Sequence, residues 1–382
     1  MPQKIGIVDC SFPKAKRGFR DAEIRTLLDA DSTTTAYSAY PMSPGPEAFF
    51  THSYGMTKKD FKQRRNNYLK QFPKYKNRIK YLPKHFVKPF LAMSYFLSDT
   101  YTYLPYFEKH QIPFIFILYP GGGFGLNNPS SDAMLRKIFS SKYFRKVIAT
   151  QDVTARYLRE KKLLPPSKIE MLWGGMPQLK NSDFSKKLAY PKDKATIDIL
   201  FQAYKYSEGG KDKGYDIFIA AAKKVHKENK KVIFHVVGNF DKSDMDTRSL
   251  GDNIIFHGVL STDKLKKLYL SIDIRVSLSR MGALFPGNFD GFPLANDALV
   301  AGALVITTDE LDNNGGRFCD DELVIVKPDA KAIADKVLSF AKNPKKMYNI
   351  AKKGQKKYSQ LVSPEQRLKK LHELFKEIAN EN

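Results

Sequence analysis

Asp290 and Asp297 flank a tight turn at 291–293, and they are the side chains of this sequence best placed to do chemistry. An apolar run leads into Asp290, and Asp297 opens the helical run 298–301. A helix N-terminus presents unpaired backbone N–H groups and a partial positive charge, which suit a diphosphate. Carboxylates repel phosphate and suit hydroxyl groups on either side of it. The stretch predicts a nucleotide-sugar site; a turn aspartate followed by a helix-capping aspartate is the alternative.

Two lysines, Lys205 and Lys213, lie on one loop between a predicted strand at 197–201 and a predicted helix at 215–227. A departing diphosphate gathers negative charge, and fixed cations with backbone donors stabilise that charge in a site without a metal. The chain has two cysteines, and its seven histidines show no pair at ligand spacing, so we expect no metal site. Ordinary solvated lysines are the alternative for this pair.

The elements that must position these residues alternate between strands and helices, which predicts parallel sheets with right-handed crossovers. Ligands of such sheets bind beyond the carboxyl ends of the strands. The predicted fold class is α/β, with two Rossmann-like domains and a cleft between them. Within the 382 residues, the predicted divisions are an N-terminal domain at 1–178, a polar linker at 179–196, a C-terminal domain at 197–350 and a helical tail at 351–382.

Glycines follow predicted strands in the N-terminal half as well. Gly18 follows a basic loop and precedes a helix, and the Gly-rich run 119–125 follows the buried strand 112–118. Glycine permits close backbone approach at a strand end, which favours an active-site loop over a flexible connector. The run matches neither G-x-G-x-x-G nor the Walker pattern. A solvated basic loop is the alternative around Gly18.

The net charge of +24 indicates either an anionic partner or many lysines that are simply exposed to solvent. Segment 57–90 interleaves aromatic residues with Lys and Arg, which suits lipid headgroups or a polyanion; a solvated helix with buried aromatics is the alternative. The sequence shows no nucleic-acid-binding motif, no apolar run of about 18 residues and no signal peptide. We therefore expect a cytoplasmic protein without a nucleic-acid partner, and peripheral contact with the inner face of an anionic membrane is the functional alternative for 57–90.

The order of these landmarks resembles the retaining glycosyltransferases of the GT-B fold, particularly glycosyltransferase family 4. Lys205 stands near that family's strand-end Gly-Arg, and Lys213 with the glycine after it matches its Lys-Gly. Asp290 and Asp297 stand for its pair of glutamates, and 301–306 is similar to its Cys-Gly-x-Pro-Val-Ile strand. The resemblance is strong over 197–340, weaker over 112–177 and absent over 40–110.

The chain departs from the family's pattern at several positions. Both acids are aspartates, and their separation (297 − 290 = 7) is one residue shorter than the family's eight. Lys205 replaces an arginine, which keeps the charge and loses the planar fork. Tyr119 and Pro120 stand where the family often has a histidine. Most of these changes preserve charge, which indicates a divergent active enzyme.

The resemblance implies metal-independent, retaining transfer of a sugar from a UDP- or GDP-sugar to a glycan or lipid-linked glycan, in bacterial surface polysaccharide biosynthesis. It implies no cofactor and no protein nucleophile. A non-catalytic GT-B-like subunit that binds a partner protein or polyanion, and a nucleotide-sugar epimerase, are the alternatives. The implied site comprises Lys205, Lys213 and Asp290 for catalysis, Gly238, His257, Gly258, Val259, Gly291, Phe292, Pro293, Leu294 and Asp297 for donor binding, and Gly18, Tyr119, Gly121, Gly122 and Gly123 on the acceptor side.

Overall fold

The computed structural model describes residues 4–13, 18–38, 58–82, 88–280 and 297–380. The chain forms two compact units. Unit 1 comprises Met1–Met176 together with Pro364–Asn382, and unit 2 comprises Pro177–Ser363. Each unit is built on one parallel β-sheet.

Unit 1 has a seven-stranded sheet in the order β3-β2-β1-β4-β5-β6-β7. Strands β4 and β5 are buried at every residue, as expected of central strands in a parallel sheet that is covered on both faces. The strands are β1 (Ile5–Asp9), β2 (Thr35–Ser38), β3 (Ile79–Tyr81), β4 (Leu91–Tyr95), β5 (Phe114–Leu118), β6 (Phe144–Ala149) and β7 (Ile169–Met171). The helices that follow the strands are α1 (Phe19–Ala30), α2 (Lys58–Leu69), α3 (Leu97–Lys109), α4 (Pro129–Phe139) and α5 (Asp152–Glu160).

Unit 2 has a six-stranded sheet in the order β10-β9-β8-β11-β12-β13. The strand order reverses between β8 and β11, and this reversal is where open α/β sheets bind ligands. The strands are β8 (Ile197–Gln202), β9 (Val232–Val237), β10 (Ile254–Gly258), β11 (Ile274–Ser277), β12 (Leu304–Thr307) and β13 (Val324–Ile325). The helices are α6 (Tyr215–Glu228), α7 (Thr262–Tyr269), α8 (Asp297–Val300), α9 (Ala330–Lys342) and α10 (Pro344–Leu361).

Segment 179–196, predicted to be a linker, packs as part of unit 2. The Lys187 ammonium donates to the carbonyls of Tyr269 (2.9 Å) and Ile272 (2.6 Å). The Lys194 ammonium lies 2.6 Å from a carboxylate oxygen of Asp273, just before β11. Two lysines therefore hold this polar segment against the amino end of the sheet, and composition alone does not reveal such bonds.

The predicted helical tail divides between the two units. Helix α10 stays in unit 2, whereas the last helix, α11 (Pro364–Asn380), packs on unit 1. Arg367 of α11 is buried, and its Nε lies 2.5 Å from the Glu23 carboxylate. Its two Nη atoms donate to the Tyr119 hydroxyl (3.0 Å) and to the carbonyls of Leu172 and Gly174 (both 3.3 Å). A buried guanidinium needs such partners, so this cluster fixes α11 on unit 1.

The described part of segment 57–90 buries three of its aromatic residues and exposes most of its lysines. Phe61, Tyr68 and Tyr75 are buried, and the two tyrosine hydroxyls donate to Asp21 and Asp29, each at 2.8 Å. This arrangement is that of a solvated helix with buried aromatics, the alternative given above for this segment. None of the helices in the described ranges combines the length and the apolar content that a bilayer crossing needs. The exposed cations of the described part of the segment are Lys58, Lys59, Lys62, Lys70, Lys74, Lys76 and Lys88.

Candidate active site

A tight loop, 203–214, follows β8 at the point where the strand order of unit 2 reverses. Asp212 holds this loop together through two hydrogen bonds. Its carboxylate accepts from the Ser207 hydroxyl (2.5 Å), and its backbone carbonyl accepts from the backbone N–H of Arg280 (3.1 Å). Because Arg280 follows β11, the loop spans the ends of both central strands. Gly214 then adopts a left-handed conformation (φ 67°) and begins α6.

Lys213 is a partly desolvated cation on this loop. Its side chain is 15% exposed, its Nζ lies 5.3 Å from the centre of the Tyr206 ring, and Asp212 Oδ2 is 3.8 Å away. Burial lowers the pKa of Lys213, and the Asp212 carboxylate opposes that change. A cation in such surroundings interacts with an anion more strongly than one in bulk water does. The position and environment of Lys213 suit the predicted contact with a diphosphate.

Lys205 is already engaged within unit 2. Its Nζ forms an ion pair with Asp244 and lies 5.9 Å from the centre of the Phe240 ring. Its backbone N–H donates to Asn239 Oδ1 (2.6 Å), and the Asn239 side chain donates back to the Lys205 carbonyl (3.1 Å). Lys205 therefore joins the loop after β8 to the loop after β9. The catalytic role given to it above stays a prediction.

Three strand ends meet at Gly238. The backbone of Gly238 has φ 137°, and its N–H donates to the carbonyl of Gly258 (3.0 Å) at the end of β10. A Cβ atom at Gly238 would lie 1.8 Å from the carbonyl oxygen of Ala203, directly after β8. The structure therefore brings together the two predicted strand-end glycines, and it leaves no space for a side chain on the first of them.

We expect Gly238→Ala to destabilise the protein by at least about 2–4 kcal/mol, because both the backbone conformation and the space oppose a methyl group. The matched control is Gly258→Ala. Gly258 also has a positive φ (62°), but a Cβ there would meet open space, so the expected cost is about 1 kcal/mol. Thermal unfolding of both variants measures the difference, and equal losses would contradict the close approach to Ala203.

His257 belongs to a chain of polar groups across the sheet that sequence reasoning missed. Its Nε2 lies 2.9 Å from His235 Nδ1, and His235 Nε2 lies 2.7 Å from the Asp198 carboxylate. Burial and then the neighbouring His235 lower the pKa of His257. The ring of His257 is thus bonded within the sheet, whereas Val259, two residues further along the chain, is 52% exposed. His257 and Val259 as donor contacts stay predictions.

Asp297 is buried at the start of α8, where it receives three hydrogen bonds. Its Oδ1 accepts from the backbone N–H groups of Gln178 (2.8 Å) and Leu179 (3.1 Å), and its Oδ2 accepts from the Gln178 side chain (3.1 Å). Burial raises the pKa of Asp297, and the N–H groups of Leu179 and Gln178 oppose that rise. Asp297 therefore anchors the first residues of unit 2, and its contact with a ribose stays a prediction. The predicted residues Asp290, Gly291, Phe292, Pro293 and Leu294 lie outside the described residues.

The glycine run of unit 1 folds against the residues that follow β4. Gly121 and Phe124 exchange backbone hydrogen bonds of 3.3 and 3.1 Å, which closes a tight loop after β5. A Cβ atom on Gly122 would lie 2.4 Å from the Phe96 ring, and one on Gly123 would lie 2.1 Å from the Ser98 hydroxyl. The glycines therefore serve close packing on Phe96 and Ser98, two residues that sequence reasoning missed.

The other predicted acceptor-side residues flank this loop. Gly18 precedes α1 with φ 98°, and a Cβ there would meet open space. The Tyr119 ring is buried, and its hydroxyl donates to the Glu23 carboxylate (3.1 Å). Tyr119 therefore lies beneath the surface, where its ring packs against Phe19 and Phe96. The acceptor-side assignment of these residues stays a prediction.

An acidic cluster that the sequence analysis did not identify lies at the carboxyl ends of β1 and β4. Arg20 Nη1 lies 3.0 Å from an Asp9 carboxylate oxygen and 3.5 Å from one of Asp99. The Cys10 thiol donates to the same Asp99 oxygen at 2.9 Å. Burial raises the pKa of Asp99 to about 6, and Arg20 opposes that rise. One cation thus faces two carboxyl groups.

The raised pKa of Asp99 predicts a pH-dependent contribution to stability. Its folded-state pKa of about 6 lies above the unfolded value, so the contribution is fully present below pH ~4 and is lost as the pH rises through 6. We expect Asp99→Asn to flatten the dependence of unfolding free energy on pH between about 4 and 6, by about 1–3 kcal/mol. Urea unfolding across this range tests the sign, and unchanged slopes in the variant would contradict it.

Residues 199–357 match the family model described as Glycosyl transferases group 1. No curated protein sequence matches the chain. Among solved structures, the chain is similar to sucrose-phosphate synthase from Thermosynechococcus elongatus, with a TM-score of 0.66, 15% identity and 100% of each chain covered. It is also similar to Anabaena HepE in complex with UDP, with a TM-score of 0.68, 13% identity, and 98% of this chain and 100% of that chain covered.

A third similar structure is described as "Trehalose-6-phosphate from E. coli bound with UDP-2-fluoro glucose". Its TM-score is 0.60 at 11% identity, with 94% of this chain and 96% of that chain covered. At these identities the solved structures establish the fold. The predicted α/β architecture with two Rossmann-like domains is confirmed as the GT-B fold.

Proposed function

We propose that this chain, a glycosyltransferase of the GT-B fold as its sequence predicts, takes a sugar from a UDP-sugar and transfers it to a glycan or lipid-linked glycan. The observation that carries the proposal is Lys213, a partly desolvated cation on the loop where the strand order of unit 2 reverses. The choice of UDP over GDP is supported by the UDP and the UDP-sugar analogue in the similar structures.

In the proposed reaction, the bond between C1 of the sugar and the diphosphate oxygen breaks through an oxocarbenium-like state. Lys213 and the backbone N–H groups at the start of α6 stabilise the charge on the departing UDP. Asp290 holds a hydroxyl of the donor sugar, and Asp297 accepts from the ribose. The acceptor hydroxyl forms the new bond to C1 on the face that UDP leaves and gives its proton to a phosphate oxygen of the departing UDP. The transfer therefore retains the configuration at C1 and uses neither a protein nucleophile nor a metal ion. Lys205 supplies a second cation on the same loop, and its bonds also join the loops after β8 and β9.

Nucleotide binding is the first test of the proposal. UDP at 100 times its Kd stabilises the protein by about 2.7 kcal/mol, and a thermal-shift measurement detects this. We expect UDP to raise the melting temperature more than GDP does, with and without EDTA. Equal melting-temperature shifts with UDP and GDP would contradict the preference for UDP. Loss of the UDP shift in the presence of EDTA would contradict metal-independent binding.

Turnover is the second test. Purified protein is supplied with UDP-glucose, UDP-galactose or UDP-N-acetylglucosamine and a mixture of oligosaccharides, and free UDP and the products are measured. We expect UDP release that rises with the oligosaccharide. Conversion of one UDP-sugar into another without any acceptor would identify an epimerase, and binding of UDP without release from any donor would identify a non-catalytic subunit.

We place the reaction in the cytoplasm, at the inner face of an anionic membrane, in the synthesis of a bacterial surface polysaccharide. The exposed lysines of α2 and the residues after it support this setting, because each lysine near an anionic surface contributes about 1 kcal/mol to binding. We expect co-sedimentation with vesicles containing phosphatidylglycerol and none with pure phosphatidylcholine. Replacement of Lys58, Lys59 and Lys62 by glutamine should weaken the binding; unchanged binding of this variant would exclude α2 as the contact.

A further inference from the structure

Phe96, the residue directly after β4, has a backbone conformation that a phenylalanine rarely adopts. Its φ is 61° and its ψ 157°. A bulky side chain with a positive φ costs about 1–3 kcal/mol, whereas glycine would take this conformation without that cost. Three bonds hold the backbone in place: Phe96 N–H donates to the Ile117 carbonyl (2.9 Å), and Thr100 donates to the Phe96 carbonyl through its N–H (3.2 Å) and its hydroxyl (2.7 Å). The fold thus maintains an aromatic side chain at a position that favours glycine.

The Phe96 ring lies at the surface of unit 1 within a group of aromatic residues. The ring centres of Phe19 and Tyr119 lie 6.3 and 5.6 Å from that of Phe96, and the Arg20 guanidinium lies 5.0 Å from it. Tyr119 is buried beneath, whereas Phe19 and Phe96 are half-buried. Gly122 packs so closely on Phe96 that no other residue fits there. The glycine loop, the helix start and the strand end are all arranged around this ring.

The charges beside the ring favour a neutral ligand. Arg20 lies between Asp9 and Asp99, so one cation serves two carboxyl groups. Among the described side chains at this place, an anionic group would meet two carboxyl groups and a single cation. Hydroxyl groups, in contrast, donate to carboxylates and accept from the guanidinium. The cluster therefore suits a polyhydroxylated, uncharged molecule.

We propose that Phe96, together with Phe19, Arg20 and Asp99, forms a subsite for a neutral pyranose ring of the acceptor. The apolar C–H face of the sugar packs on the exposed part of the phenylalanine rings, whose π-faces carry partial negative charge. The hydroxyl groups at the edge of the sugar exchange hydrogen bonds with Arg20 and Asp99. The proposal rests on the proposed function, because it assigns the acceptor sugar of that reaction to unit 1.

Direct binding tests the subsite without any turnover. The probes are the methyl glycosides of glucose, galactose and mannose, with methyl glucuronide as the anionic counterpart, and saturation-transfer NMR measures their binding. We expect at least one neutral glycoside to bind through its C–H protons and methyl glucuronide to bind at least 10-fold more weakly. Absence of binding by all three neutral glycosides, or stronger binding of the glucuronide, would overturn the proposal.

Three variants separate stacking from folding. Phe96→Leu keeps an apolar side chain and removes the aromatic face, Phe96→Tyr keeps the face, and Phe139→Leu removes a half-buried phenylalanine on α4 of the same unit. We expect Phe96→Leu to weaken sugar binding and to raise the acceptor KM about 10-fold, Phe96→Tyr to restore both, and Phe139→Leu to change neither. Equal losses in Phe96→Leu and Phe139→Leu would show a merely structural role and overturn the proposal.

A UDP thermal shift in each variant separates this proposal from the proposed function. We expect Phe96→Leu to keep the shift, because the proposed donor residues lie in unit 2. If the wild-type protein shows no shift with UDP, the proposed function fails. If UDP binds to the wild type but the neutral glycosides do not, only the acceptor subsite fails.

Discussion

Replacing Lys213 with methionine should lower kcat about 10²–10³-fold. Methionine keeps most of the side-chain volume and its packing on Tyr206, and it removes the charge that we propose to face the departing UDP. The expected magnitude is that of deleting one preorganised stabiliser of developing negative charge. Because this charge is greatest in the transition state, kcat should fall more than the KM for the donor rises. Steady-state release of UDP, measured at several donor concentrations, gives both parameters.

The same loop offers a matched control, Lys211→Met. Lys211 is exposed, two residues before Lys213, and carries the same charge. We expect this variant to keep kcat within about 3-fold, because an exposed lysine is screened by water and salt. A general loss of positive charge would lower the rate of both variants alike. Equal effects, or a loss of less than about 3-fold in Lys213→Met, would show that this ammonium does not stabilise the departing diphosphate.

The sequence predicts the two sheets well, because their central strands are apolar runs of the kind that only a doubly covered parallel sheet buries. The predicted strands at 112–118 and 197–201 correspond to β5 and β8. Element length and periodicity are local properties, and they do not show which unit a helix packs on. Helix α11 has an apolar stripe that either unit could bury, and the bonds of Arg367 decide between them. Those partners are distant in sequence.

Segment 58–82 shows how one pattern supports two predictions. Its cations and aromatics alternate as they do in a membrane-surface helix, yet Phe61, Tyr68 and Tyr75 are buried and the other aromatics are half-buried. The spacing of Phe61 and Tyr68 (68 − 61 = 7) places both on one face of α2, which is a signal of burial that composition conceals. The hydroxyl of Tyr68 donates a hydrogen bond to Asp21 on α1, a partner that the sequence does not indicate.

The candidate site is predictable where backbone geometry alone determines the residue. Gly238 is required because the carbonyl of Ala203 occupies the space of a side chain, and strand-end position is enough to identify it. Lys205 and Lys213 look equivalent in the sequence, but Gly209 and Gly210, both with φ 63°, turn the loop between them. Their environments consequently differ. Phe96 was missed because nothing in a sequence marks a phenylalanine with a positive φ.

Loss of the buried ion pair between Arg367 and Glu23 should destabilise unit 1 by about 3–5 kcal/mol. Both side chains are almost fully buried, so Arg367→Leu leaves the Glu23 carboxylate without its cation in surroundings of low polarity. It also removes the donors to the Tyr119 hydroxyl and to the carbonyls after β7. Thermal and urea unfolding of Arg367→Leu measure the cost.

The same helix carries its own control, because Glu377 of α11 pairs with Lys146 at 2.6 Å while its side chain is 51% exposed. The Lys146 end of this pair is buried but Glu377 faces solvent, so Glu377→Ala should cost about 1 kcal/mol, well below the cost of Arg367→Leu. The double variant Glu23→Leu with Arg367→Leu should recover part of the single variant's loss, because it removes the uncompensated charge as well. If Arg367→Leu costs no more than Glu377→Ala, burial of the pair does not hold the last helix on unit 1. If the double variant loses the sum of both single changes, the two side chains act independently, and the attachment of α11 rests on its apolar stripe alone.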